Sequence, residues 1–160
     1  MSHDVRVVIV VNATAATAFQ VFVEETDLWW RRGMQWRFLR GPRGVLRFEP
    51  GVGGRLIEVD GDDDTIAHVV GEITVWEPGA RLRFAWRLPN FAPEESTWVE
   101  LRFDPLDDRR TRVTLEHHGL GALRDGHPAR HGQTNAAWFA SYGRWWAQLL
   151  GAWGERAAAR

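Results

Sequence analysis

The sequence contains no cysteine and no lysine. Without cysteine there is no disulfide, no thiolate nucleophile and no Cys-type zinc site. Without lysine there is no Schiff-base amine and no P-loop lysine. All 20 basic residues are therefore arginine. No apolar run approaches the ~20 residues needed to span a bilayer, so no membrane partner is expected. Met1-Ser2-His3-Asp4 shows no basic segment leading into an apolar stretch, so no signal peptide is expected. Together with the missing cysteines, this gives the cytoplasm as the expected location. A net charge of -1 supplies no overall pull toward nucleic acid, and no nucleic-acid partner is expected.

The aromatic set is unusual, with Trp 10 against Tyr 1. Tryptophan carries a large apolar body and one N–H donor, and is rarely fully buried. Ten of them suggest aromatic walls that are part core and part something else. A chain of 160 residues fits a single domain, 1–160. At that size roughly 70% of the unfolded surface can be buried, enough for a core without staples.

Val5 to Val11 is a β-branched run and reads as a strand. Thr14 is placed to N-cap a helix carrying Ala15, Ala18, Phe19, Phe22 and Val23. A second short helical turn is expected over Asp27 to Arg31. From Trp36 to His118 the chain reads as strands parted by turn residues. Phe38-Leu39 ends at Gly41-Pro42, Val45–Phe48 at Pro50–Gly54, Leu56–Val59 at Gly61–Asp64, and Ile66–Trp76 at Glu77-Pro78-Gly79. Leu82, Phe84, Trp86 and Leu88 alternate with Arg81, Arg83, Ala85 and Arg87. Similar alternation follows through Val99–Phe103 and Val113–His117. Alternation means a sheet covered on one face, and short turns mean antiparallel neighbours. The last stretch, from about Ala129 to Ala158, reads as a long helix. Its face is Trp138, Tyr142, Trp145, Leu149 and Trp153, widened by Phe139, Trp146 and Leu150 beyond an ordinary amphipathic stripe. The expected class is α+β, a curved antiparallel sheet around a long C-terminal helix, with two short helices after the first strand.

Several strings recur in a telling order. Trp29-Trp30 closes the second helix, and Pro50-Gly51-x-Gly53-Gly54-Arg55 precedes a strand with Glu58. Gly71-Glu72-Ile73-x-x-Trp76-Glu77-Pro78 leads into Arg81-Leu82-x-Phe84-x-Trp86. Thr111-Arg112-Val113-Thr114-Leu115 runs into His117-x-Gly119, and Gly143 with Trp145 lies in the last helix. On these the chain resembles the activator-of-Hsp90-ATPase-homologue group of START-like, polyketide cyclase-like (SRPBCC) domains. The resemblance implies a helix-grip fold of the START/Bet v 1 type with a cavity between sheet and C-terminal helix. Its relatives include lipid and hormone binders and cyclases.

Motifs that mimic other chemistries fail on inspection. Gly51-Val52-Gly53-Gly54 is followed by a strand and lacks the P-loop's Gly-Lys-Ser/Thr, so it reads as a glycine turn. Asp60-x-Asp62-x-Asp64 has Thr65 and Gly71 where a calcium loop needs Gly and Glu, so it reads as a solvated turn. Ser141 lacks the first glycine of a nucleophile elbow. His117, His118, His127 and His131 are close in sequence, but Pro128 separates the last pair and adjacent strand residues face opposite ways. No metal site and no cofactor are expected. Arg31, Arg32, Arg37, Arg40, Arg43 and Arg47 form an arginine-rich stretch, read as a solvated rim ahead of an anion site.

The expected function is binding of a small hydrophobic or aromatic ligand in the cavity, without catalysis. Trp29, Trp86, Trp138 and Trp145 are the expected aromatic wall, with Tyr142 on the same helix face. Glu58, His68, Glu72 and His117 are polar residues in apolar strands and candidates to face inward and orient the ligand. The first alternative is a cyclase or dehydratase using Glu58, His68 or His117 as acid–base groups. The second is an interaction module, co-chaperone-like or homodimeric through the wide helix face. No catalytic residue is assigned.

Overall fold

The computed structural model describes residues 4–39 and 43–160. The expectations at Met1–His3, at Arg40 and at the Gly41-Pro42 turn lie outside the described residues. The element order is β1 (Val5–Val11), α1 (Ala15–Glu24), α2 (Thr26–Trp29), β2 (Gly44–Phe48), β3 (Arg55–Asp60), β4 (Ile66–Glu77), β5 (Arg81–Trp86), β6 (Thr97–Pro105), β7 (Thr111–His118) and α3 (Asn135–Ala158). The strands form one antiparallel sheet in the order β1-β7-β6-β5-β4-β3-β2. It curves around α3 in the helix-grip manner, with α1 and α2 closing one end.

Local chemistry explains the helix starts. The Thr14 hydroxyl accepts from the Thr17 amide and caps α1, burying Ala18, Phe19 and Phe22 on one face. Thr134 caps α3 in the same way through the Ala137 amide. The long helix therefore begins at Asn135 and not near Ala129. His131 and Gly132 have positive φ, which ends the short 3-10 turn Pro128–Arg130 before helix can propagate. The expected strand at Phe38-Leu39 is a bend. Its amides bond a side chain, as described below, and so do not join the sheet.

β5 keeps the predicted alternation, with Leu82, Phe84 and Trp86 buried and the residues between them half-exposed. β4 does not keep it. A register shift opposite Leu56/Ile57 changes the phase after Val70, so Ile73 is buried and Glu72 is exposed. The expectation that Glu72 faces inward is corrected by this bulge, since one extra residue reverses every later side chain. Gly71 sits at the bulge in close contact with β5. A Cβ there would lie 1.8 Å from the Ala85 carbonyl oxygen.

His117 and His118 are both buried, although they point to opposite faces. His117 looks into the core. His118 lies on the outer face, stacked on Trp98 with 3° between the rings and covered by it.

The core between sheet and α3 is filled, not hollow, along the C-terminal half of the helix. Trp146, Leu149, Leu150, Trp153 and Ala157 are buried there. Trp153 donates to the Ala18 carbonyl at 3.1 Å, joining α3 to α1. Trp30, Trp86 and Trp146 pack at ring separations of 5.1–6.2 Å. The tryptophans therefore plug one end of the interior and leave an opening toward the start of α3.

Candidate functional site

That opening is a cleft of about 670 Å³, within the usual range for small-molecule sites. Its walls come from the first three turns of α3 and the segment before it, the end of β5 and the segment after it, and residues 34–38. The aromatic wall is Trp36, Phe38, Trp86, Trp138, Tyr142 and Trp145. Met34, Leu88 and Pro89 add apolar surface at the mouth, where Met34 is 74% exposed. Gln35, Asn90, Gln133 and Ser141 supply neutral polar groups at the rim. Arg37 and His131 are its only basic members among the described residues, and no carboxylate lines it.

Tyr142 is the polar group set among the rings. Its hydroxyl accepts a hydrogen bond from Trp86 Nε1 at 3.3 Å. Among the described residues no protein acceptor takes its own proton, so the O–H can donate to a ligand. Burial in aromatic surroundings pushes its pKa up to about 12, which keeps it a neutral donor.

The wall formed by residues 34–38 is tied down from below. Trp30 Nε1 donates to the Trp36 carbonyl at 2.8 Å, and Trp145 Nε1 to the Gln35 carbonyl at 2.7 Å. The Trp36 and Trp145 rings stack at 5.5 Å. Arg37 is buried and donates to the Trp30 and Gly44 carbonyls and to Asp27 Oδ1. Its guanidinium is committed to holding the chain. Arg31, Arg32, Arg43 and Arg47 of the same stretch are exposed. Arg37 is thus a staple within a stretch whose other described arginines face solvent.

The expected site residues fall into two groups. Trp86, Trp138, Tyr142 and Trp145 line the cleft together. Trp29, Glu58, His68 and His117 do not, and each has a physical reason. Trp29 packs between Phe22 and Trp30 and donates to the Val21 carbonyl, inside the core. Glu58 is buried under the segment that makes the wall: its Oε1 accepts from the amides of Phe38 (2.9 Å) and Leu39. Among the described residues its Oε2 has no partner. Burial pushes its pKa up, against the pull of those two amides and of Arg37. His68 is half-buried behind Phe38, with rings 4.9 Å apart, and its Nε2 bonds the Arg87 carbonyl at 2.7 Å. Burial pushes its pKa down.

His117 is fully enclosed and both ring nitrogens are taken. Trp146 Nε1 donates to Nδ1 at 3.1 Å, so Nδ1 is the acceptor and Nε2 carries the hydrogen. That Nε2–H donates to Thr97 Oγ1 at 2.9 Å, and the Thr97 hydroxyl donates to the Trp86 carbonyl at 2.8 Å. Burial holds the imidazole pKa down to about 3. His117 is a satisfied, neutral core group beneath the cleft floor and has no lone pair left for acid–base work.

Met34, Asn90 and Gln133 line the cleft and were not singled out from the sequence. They lie in connections, where hydrophobic period gives no signal. Among the described residues no group of three or more His, Asp or Glu is placed to hold a metal ion. No helix among them is long and apolar enough to cross a membrane.

Comparison with protein families matches residues 12–148 to the family described as Activator of Hsp90 ATPase homolog 1-like protein. Comparison with curated proteins finds no match. Among solved structures, an anthrahydroquino-gamma-pyrone synthase, Txn09, complexed with SUM, shares 32% identity. That match covers 86% of this chain and 94% of the other, with a TM-score of 0.56. The self-sacrificing resistance protein CalC from Micromonospora echinospora shares 24% identity over 96% and 92% of the two chains, TM-score 0.62. PFC0360w, an Hsp90 activator from Plasmodium falciparum, shares 15% identity over 79% and 82%, TM-score 0.52. At those identities the last two speak to the fold.

Proposed function

The chain belongs to the Activator of Hsp90 ATPase homolog 1-like family, whose fold supports a ligand-binding or cyclase-type role; from that premise we propose that it binds a planar, oxygenated polycyclic aromatic molecule in the cleft at the start of α3, without transforming it. The observation that carries this reading is the Tyr142 hydroxyl, a neutral donor with its proton uncommitted, set in an otherwise aromatic wall. Flat rings of Trp36, Trp138 and Trp145 suit a flat ligand by stacking or edge contact. The donor suits a quinone or ketone oxygen. The absence of a carboxylate among the described lining residues suits an electron-rich, oxygenated ligand. The 32% identity to a protein named for an anthrahydroquino-gamma-pyrone product supports the same ligand class.

The same identity favours one second reading, a synthase-type reaction in this cleft. Tyr142 would then polarise a ligand carbonyl, because Glu58 and His117 are sequestered outside the cleft.

Titration with 1,2-dihydroxyanthraquinone, followed by tryptophan fluorescence and calorimetry, tests the binding reading. Saturable one-to-one binding is expected. Tyr142→Phe should weaken it about fivefold, the worth of one neutral hydrogen bond. Absence of saturable binding, or an unchanged affinity in Tyr142→Phe, would sink the proposal. A slow change of ligand absorption with time, proportional to enzyme, would move the assignment to the second reading.

A further inference from the structure

Arg130 is an uncompensated buried charge. It is 2% exposed, on the short turn just before α3. Its Nη2 donates to the Leu123 carbonyl at 2.7 Å and its Nη1 to the Asn135 side-chain oxygen. Both acceptors are neutral. Its Nε is buried and has no partner among the described residues. Among the described residues no carboxylate forms an ion pair with it. Placing an ion in a dry interior without a counter-charge is costly, so a structure that keeps one has a use for its field.

The field points at the cleft. The guanidinium carbon lies 4.7 Å from the centroid of the Trp138 ring, and Trp138 is cleft wall. The neighbours of Arg130 on either side, Ala129 and His131, also line the cleft. A ligand in contact with Trp138 would sit roughly 8–10 Å from the charge, adding one van der Waals contact to the measured separation.

We propose that the cleft selects the ionised form of its ligand, an acidic polycyclic phenol held as the monoanion, with Arg130 supplying the positive potential through the Trp138 indole. This deepens the aromatic-ligand reading and rests on it. The other charges around the cleft do not cancel the field. Arg37 is paired to Asp27, which also binds Arg32, and the buried Glu58 carboxyl under the wall feels both Arg37 and Asp27, so this cluster's two arginines face two carboxyl groups and it is no rival source of positive potential. Arg31 stands 5.4 Å from the Trp36 ring at the mouth. On the segment before β6, Glu95 bonds His127 at 2.9 Å and lies 4.0 Å from Arg124. His131 is exposed at the rim. Tyr142 donates to an anion more strongly than to a neutral oxygen and acts in the same direction.

The test is the acidity of the bound ligand. The phenol of 1,2-dihydroxyanthraquinone changes colour on ionisation, so its pKa can be read free and bound by absorption across pH. At the stated separation and an effective dielectric near 20, the bound value should fall by about one unit, a roughly tenfold preference for the anion. Arg130→Met keeps a long apolar stem and removes the charge; it should abolish most of the shift while still binding the neutral ligand at low pH. Should Arg130→Met fail to fold, the salt dependence of the wild-type shift decides. A buried source persists at about 0.5 M salt, whereas a shift due to the exposed Arg31 is screened away. Binding with an unchanged or raised ligand pKa, or a shift that survives in folded Arg130→Met or vanishes in salt, overturns the role of Arg130 and leaves the aromatic-ligand reading intact. No binding at any pH overturns both.

Discussion

Replacing His117 by Asn decides whether the imidazole below the cleft floor is a structural group or an acid–base one. Asn Oδ1 can occupy the position of Nδ1 and keep the bond from Trp146 Nε1. The Thr97 hydroxyl loses a donor but still donates to the Trp86 carbonyl. The smaller side chain leaves a void, so a cost of about 1–3 kcal/mol at pH 7.5 is expected. The informative quantity is the pH dependence. The imidazole pKa is about 3 in the folded protein against 6.5 unfolded. Between those values the unfolded chain binds the extra proton, so this contribution to stability is fully present above pH 6.5 and is lost as pH falls toward 3. From pH 7.5 to pH 5 the loss works out at about 2 kcal/mol, and it is the same for any folded value below about 4. Urea unfolding of both proteins, followed by circular dichroism at four or five pH values, measures it. The wild type should lose about 2 kcal/mol more than His117→Asn across that interval. His68 titrates in the same direction in both proteins and cancels in the difference. Equal pH slopes would mean that the folded imidazole takes up a proton in this range, and would return His117 to the list of acid–base candidates.

Two further outcomes follow from the same reasoning. Glu58 has its pKa raised above the unfolded value of 4.5, so its burial costs stability as pH rises from 4.5 through the folded value. Glu58→Gln keeps an oxygen for the Phe38 and Leu39 amides and should gain in Tm on wild type as pH rises from 4.5 through the folded value; a Tm difference that moves the other way contradicts the raised pKa. Gly71→Ala puts a methyl 1.8 Å from the Ala85 carbonyl oxygen, which cannot yield without parting β4 from β5. A loss of about 3 kcal/mol is expected from urea midpoints, and a loss under ~1 kcal/mol would show that the two strands part freely.

The architecture was legible because most elements announce themselves locally. Val5–Val11 is one β-branched run, Thr14 is a cap, and Leu82, Phe84 and Trp86 alternate over a one-sided sheet. Legibility failed where an outcome depended on a distant segment. Glu72 was misplaced because the bulge at Gly71 arises from pairing with Leu56 and Ile57, fifteen residues back in sequence from any visible signal. Phe38-Leu39 looked like a strand because its amides' partner, Glu58, is unmarked in the local sequence. Arg37 could not be told from Arg31 or Arg32 by type. Only Asp27 and the carbonyls around it make it a buried staple. The aromatic wall was half legible: the helical spacing of Trp138, Tyr142 and Trp145 put them on one side. Nothing local tells which tryptophans plug the interior and which edge the cleft, since both kinds repeat with the same period.

The tethered segment 34–38 has a kinetic consequence. Two indole N–H groups, the Arg37 fork and the Glu58 carboxyl fix this wall before any ligand arrives. Entry into the cleft then requires no loop to order, and little conformational entropy is surrendered on contact. Flat aromatic molecules of similar size should consequently arrive at similar rates. Discrimination among them will lie in how long each stays, and dissociation measurements will separate them more sharply than association measurements.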